Sequence, residues 1–157
     1  MTPQQEPPFI PCWPGPAPLR YWISPEMEQF RAEINMALLT ITREPVWLRF
    51  EEIRMPAQVR SIDFRLEPLV GLLGLGMYPP PLIQEPQAGD ITLNRDAFSR
   101  FEFRALVLPT LIHEVTAEAL GLGHLYLRQS VRCPHIEEGR INLAPEDRTA
   151  LVTMYGV

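Results

Sequence analysis

An α/β fold is predicted by three features of the chain. From Leu19 to Arg65 the pattern reads strand, long helix, strand, short turn, strand, the opening of a crossover sheet. An apolar helix follows over Leu106 to Leu120, and a helix with Pro at its first position closes the chain after Leu143. The 157 residues suit one domain, with a core large enough to need neither disulfides nor structural metal.

Hydrophobic content of 46% with 21% charged residues fits a soluble globular protein. Proline is about twice as frequent as the usual 5%, clustering at the N-terminus and in Tyr78 to Pro86. All 14 basic residues are Arg, scattered along the chain, which we read as composition bias and not as a binding face. A net charge of −5 with no basic run argues against a nucleic-acid partner. The longest apolar run, Leu69 to Tyr78, is too short and Gly-rich to span a bilayer, so no membrane partner is expected. The N-terminal stretch lacks the charged and apolar regions of a signal peptide, giving a cytoplasmic default. Two cysteines, Cys12 and Cys133, leave free and bridged states open.

Residues 1–18 form a Pro-rich arm, and residues 19–157 the domain proper. Leu19 to Ile23 alternates as a first strand. Ser24 and Pro25 then supply an N-cap and an N1 residue. Phe30, Ile34, Leu38 and Ile41 recur at helical spacing until Glu44-Pro45 stops the helix. Val46 to Ile53 and Val59 to Arg65 read as the second and third strands. Pro109 belongs in the first turn of the next helix, and Gly121 or Gly123 ends it in a left-handed cap.

The chemistry concentrates in Leu111 to His124, LIHEVTAEALGLGH. This segment resembles the H-E-x-x-H-x-x-G-x-x-H motif of the metzincin zinc peptidases, above all their matrixin branch. In that motif two His one helical turn apart face the metal and a Glu beside the first polarises water. A Gly then breaks the helix so that a third ligand can return.

Two alignments are open. An ungapped one fits ALGLGH and puts Glu114, Val115 and Glu118 on the His, Glu and His positions. A gapped one, which we favour, accepts one extra residue in the helix. His113, Glu118 and His124 then become the metal ligands and Glu114 the general base. A π-bulge absorbs one extra residue and brings positions i and i+5 onto one face. Without it His113 shares a face with Ala117, and at most two ligands remain.

The resemblance extends from about Leu19 to Gly156. Leu19 to Ile53 resembles the matrixin first strand, helix and L-x-F strand. Gly71 to Pro81 and Gly89 to Asn94 resemble the edge strand, on which substrate peptide is bound by strand addition, and the Gly-Asp-Ile strand. Gly76 and Thr92 occupy the region where secreted members place His, so no structural zinc of the family type is expected. Asn94, Asp96 and Glu102 are the candidates for calcium, though isolated acids on a turn are commonly just solvated. Ser130 to Pro134 resembles the Met-turn, S-V-M-x-P, with Arg132 in the Met position. A cation there repels zinc unless it turns to a carboxylate such as Glu118, and an Arg132–Glu118 pair in the metal site is the hypothesis for an inactive homologue. Cys12 invites comparison with the propeptide latch, although FIPCWPG matches it poorly. His135 reads as a rim residue, Trp22, Trp47 and Tyr155 as core, and Tyr126 as a cleft candidate.

The resemblance therefore implies a zincin-like α/β fold: a twisted mixed sheet of about five strands with two large helices. A small C-terminal subdomain (124–157) with a third helix follows the upper one (19–123). It implies a monomeric zinc-dependent endopeptidase acting on an extended peptide, or, as the alternative, an inactive pseudopeptidase that binds peptides or proteins. The family is mostly secreted, in tension with the cytoplasmic default.

Overall fold

The computed structural model describes residues 13, 18–55, 61–76 and 89–157. Cys12, most of the Pro-rich arm, the start of the expected third strand at Val59 and the segment Tyr78 to Pro86 lie outside them.

The architecture is mixed α/β. The strands are β1 (Leu19–Ile23), β2 (Phe50–Ile53), β3 (Ile62–Glu67), β4 (Gly74–Gly76) and β5 (Gly89–Asn94), in the order β2-β1-β3-β5-β4. β1, β2, β3 and β5 are mutually parallel, with Leu19 opposite Phe50, Tyr21 opposite Ile62 and Ile62 opposite Gly89. β4 runs antiparallel at the edge, Gly74 facing Leu93. Parallel neighbours need a crossover, and α1 (Arg31–Thr42) supplies it between β1 and β2. Alternation in β1 buries Leu19, Tyr21 and Ile23, which share a core with Phe30, Ile34, Leu38 and Ile41.

Two boundaries differ from the pattern in the sequence. The helix after Ser24 begins as a 3₁₀ turn over Pro25–Phe30, with no cap from the Ser24 side chain. The Ser24 N–H still bonds to the Phe64 carbonyl as a continuation of β1, and its own carbonyl accepts Met27 N–H at 2.9 Å, closing the tighter turn. The second strand starts at Phe50, not Val46, because residues 45–47 serve the chain end. Val46 bridges Gly156, and Trp47 N–H donates to the Tyr155 carbonyl at 3.0 Å. In the second long helix, α3 (Val107–His113) passes directly into a π-helical segment, Glu114–Ala119, the wider turn that the gapped reading calls for.

A short helix, α2 (Arg95–Phe98), is capped by Asn94, and α4 (Pro145–Tyr155) closes the chain with Pro145 at its first position. α4 buries Ala150, Leu151, Met154 and Tyr155. α1 packs beside α3, and the π segment lies against β4 and β5. Among the described residues no helix is long and apolar enough to cross a membrane.

Candidate metal centre

The π segment sets the geometry of the site. Thr116 spends its hydroxyl on the Ile112 carbonyl four residues back, at 2.6 Å, a bond that bends helices. The Leu120 N–H reaches Val115 O at 2.8 Å, five residues back, so the turn is one residue wider than α. The helix end is then closed by Gly121 and Gly123, at φ of 79° and 75°, a conformation costly for other residues. Its last carbonyls are satisfied from a distance: Trp13 Nε1 donates to Ala119 O at 2.7 Å and the Tyr155 hydroxyl to Leu120 O at 2.6 Å.

This widening brings His113, Glu114 and Glu118 to the wall of a single cleft of about 400 Å³, which His124 also lines. The His113 and His124 rings lie 5.2 Å apart between centroids, tilted by 39°. Glu118 Oε1 is 2.8 Å from His124 Nε2. The opposite wall is Pro134, His135 and Ile136, and the edge-strand wall is Gly71 to Gly74.

His113 is buried, and its Nδ1 meets the Val131 carbonyl at 2.9 Å. A carbonyl only accepts, so Nδ1 carries the proton and Nε2 keeps its lone pair. Burial, offset in part by that bond and reinforced by His124 and Arg140, pushes the His113 pKa down to about 4. The ring is therefore neutral at pH 7, the state a metal ligand needs.

Glu114 is buried on the same wall. The edge strand passes over it so closely that a Cβ on Gly74 would meet Thr110 Cγ2 at 2.8 Å and Glu114 Cγ at 3.4 Å. Glycine at 74 is what lets β4 lie on the helix here. Asn94 fixes the adjoining loop, donating from Nδ2 to the carbonyls of Leu69 (2.7 Å) and Leu72 (2.6 Å) while Oδ1 accepts Asp96 N–H. Its side chain is thus committed to the loop, and Glu102 lies exposed beside Arg100.

Arg132 departs from expectation. It pairs with Asp147 and not with Glu118: the guanidinium is fully buried, with Nε 3.0 Å from Asp147 Oδ1 and one terminal nitrogen 3.2 Å from the Leu122 carbonyl. Asp147, also fully buried, further accepts Ser130 Oγ at 2.5 Å and the N–H groups of Val131 and Ala144, each at 3.0 Å. The cation is neutralised by Asp147, and Glu118 bonds to His124. Asp147 escapes sequence reasoning because an acid in the first turn of a helix is already explained by the helix dipole.

The remaining candidates fall at the margins. His135 is exposed at the cleft rim. Tyr126 stands edge-on to the His124 ring at 6.3 Å but is largely exposed. Tyr155 is fully buried and Trp47 packs on it. Trp22 is half-buried beneath Arg65, not in the core. Cys133 is a free, buried thiol.

The donor set of one neutral imidazole, a carboxylate and a second imidazole suits zinc chemically. Among the described residues, no three His, Cys, Asp or Glu side chains are gathered closely enough to hold a metal as they stand. Ligand atoms sharing one zinc stand roughly 3.3 Å apart in a tetrahedral set, so the direct Glu118–His124 bond must open to admit it. No protein-family model matches the chain, and no curated protein shows significant similarity to it.

Proposed function

We propose that this protein is a zinc-dependent endopeptidase of matrixin type, with His113, Glu118 and His124 as the residues that would hold the metal. The observation that carries this reading is the π segment. It supports the gapped reading of LIHEVTAEALGLGH because a wider turn carries positions i and i+5 on one face, and the His113 and His124 rings lie 5.2 Å apart on the cleft that Glu118 also lines. Zinc in such a shell supplies a Lewis acid that polarises a peptide carbonyl and makes water acidic enough to attack near pH 7.

The chain's own residues do the rest. Glu114 takes the proton of the attacking water and returns it to the leaving amide nitrogen. Val131 fixes the His113 tautomer through its carbonyl. β4, at the sheet edge, takes an extended peptide by strand addition and lays it across the cleft. The partner is a peptide or protein substrate, handled by a monomer, without nucleic acid or membrane.

A second reading is favoured by the Glu118–His124 bond, which closes the metal position as it stands. In it the protein is an inactive pseudopeptidase that captures peptides along β4. Metal analysis after purification in zinc, with a Glu114→Gln comparison on a generic unfolded substrate, separates the two. Stoichiometric zinc and activity abolished by the substitution support the enzyme. Absence of zinc, with stability indifferent to chelator, supports the binder.

A further inference from the structure

We propose that Arg132 is a positioning residue that holds the two imidazoles of the site in register, a role that rests on the metal reading above. Five bonds carry the inference. The Arg132 side chain reaches the Leu122 carbonyl, two residues before His124, at 3.2 Å. Its backbone carbonyl accepts the N–H of Leu125, one residue after His124, at 3.2 Å. His124 is therefore flanked on both sides by contacts to one residue. On the other side, Nε of Arg132 engages Asp147 Oδ1 at 3.0 Å, and Oδ2 of the same carboxylate holds the Val131 N–H at 3.0 Å. The Val131 carbonyl is the group that orients His113, at 2.9 Å.

The arrangement needs the guanidinium fork. One planar group bonds a carboxylate and a carbonyl in different directions at once, while a lysine ammonium on its flexible stem is a point charge without that fixed fork. Both side chains of the pair are fully buried, so their geometry is held by packing and not by solvent-exposed rotamers. An apolar residue at 132 would keep the backbone bond to Leu125 but lose the side-chain ties to Leu122 and Asp147.

The deciding variant is Arg132→Lys, which keeps a cation for Asp147 and removes the fork. Two readouts are taken on the full chain: zinc affinity by competition with a chromophoric chelator, and the NMR cross-relaxation between the His113 and His124 rings in zinc-free protein. The expected result is a folded variant whose zinc dissociation constant rises on the order of tenfold or more and whose ring-to-ring signal weakens. Parent-like values for both overturn the proposal. If the parent binds no zinc, the metal reading fails while the ring signal still reports on the brace. If Arg132→Lys does not fold, Arg132→Met combined with Asp147→Asn, which strands no charge, takes its place under the same criteria. Failure of both to fold makes Arg132 a core residue and overturns the positioning role.

Discussion

The two long helices that pack side by side solve different problems. α1 is half in water: Ile34, Ala37, Leu38 and Ile41 are buried while Met36 and Leu39 remain 43% and 44% exposed, and its last turn is closed locally by Arg43 N–H on Leu39 O. α3 and the π segment are enclosed nearly all round, from Val107 to Ala119, yet carry His113 and Glu114 inside that enclosure. Their end is closed locally by the N–H groups of Gly121, Leu122 and Gly123, and the carbonyls of Ala119 and Leu120 take donors far away in sequence, Trp13 and Tyr155. α1 is a scaffold whose irregularities would be tolerated. The second helix holds its irregular turn because everything around it is fixed.

That contrast can be broken in graded steps. Leu111→Ala, at a fully buried position of α3, is expected to cost about 2–5 kcal/mol through the cavity it leaves, measured by urea unfolding. Acid comes next. The His113 pKa is depressed to about 4, below its unfolded value of 6.5, so the unfolded chain binds the extra proton. The stability it lends is complete above pH 6.5 and is lost as pH falls towards 4. The parent is expected to lose on the order of 3 kcal/mol more over that interval than a His113→Gln protein, whose other groups titrate alike. Tyr155→Phe, which leaves the Leu120 carbonyl without its 2.6 Å donor, is expected to cost about 1–3 kcal/mol. Leu39→Ala on α1 is the smallest, within about 0.5 kcal/mol of the parent. A Leu39 effect as large as that of Leu111 would erase the distinction between the helices.

The same contrast explains what could be read from the residues alone. α1 was legible because an amphipathic helix writes its period into the sequence, and β1 because its alternation is local, whereas β5 came only from the resemblance of Gly89 to Asn94 to a Gly-Asp-Ile strand. The π turn was legible through one surplus residue between His113 and His124, since a motif of fixed spacing turns an insertion into geometry. The Arg132–Asp147 pair was not, because it joins residues 15 apart through a buried bond that neither residue's neighbours announce. The late start of β2 was hidden for a similar reason: Val46 is claimed by Gly156 at the far end of the chain. Periodicity carries local structure, and long-range pairing has to be seen.

Whether a widened helical turn makes Glu118 a ligand together with His113 and His124 is decided by zinc stoichiometry in the parent and in Glu118→Ala. One zinc per chain is expected in the parent, with a loss of affinity on the order of a hundredfold or more in the variant. Equal zinc binding by the two proteins, or none in the parent, would contradict it.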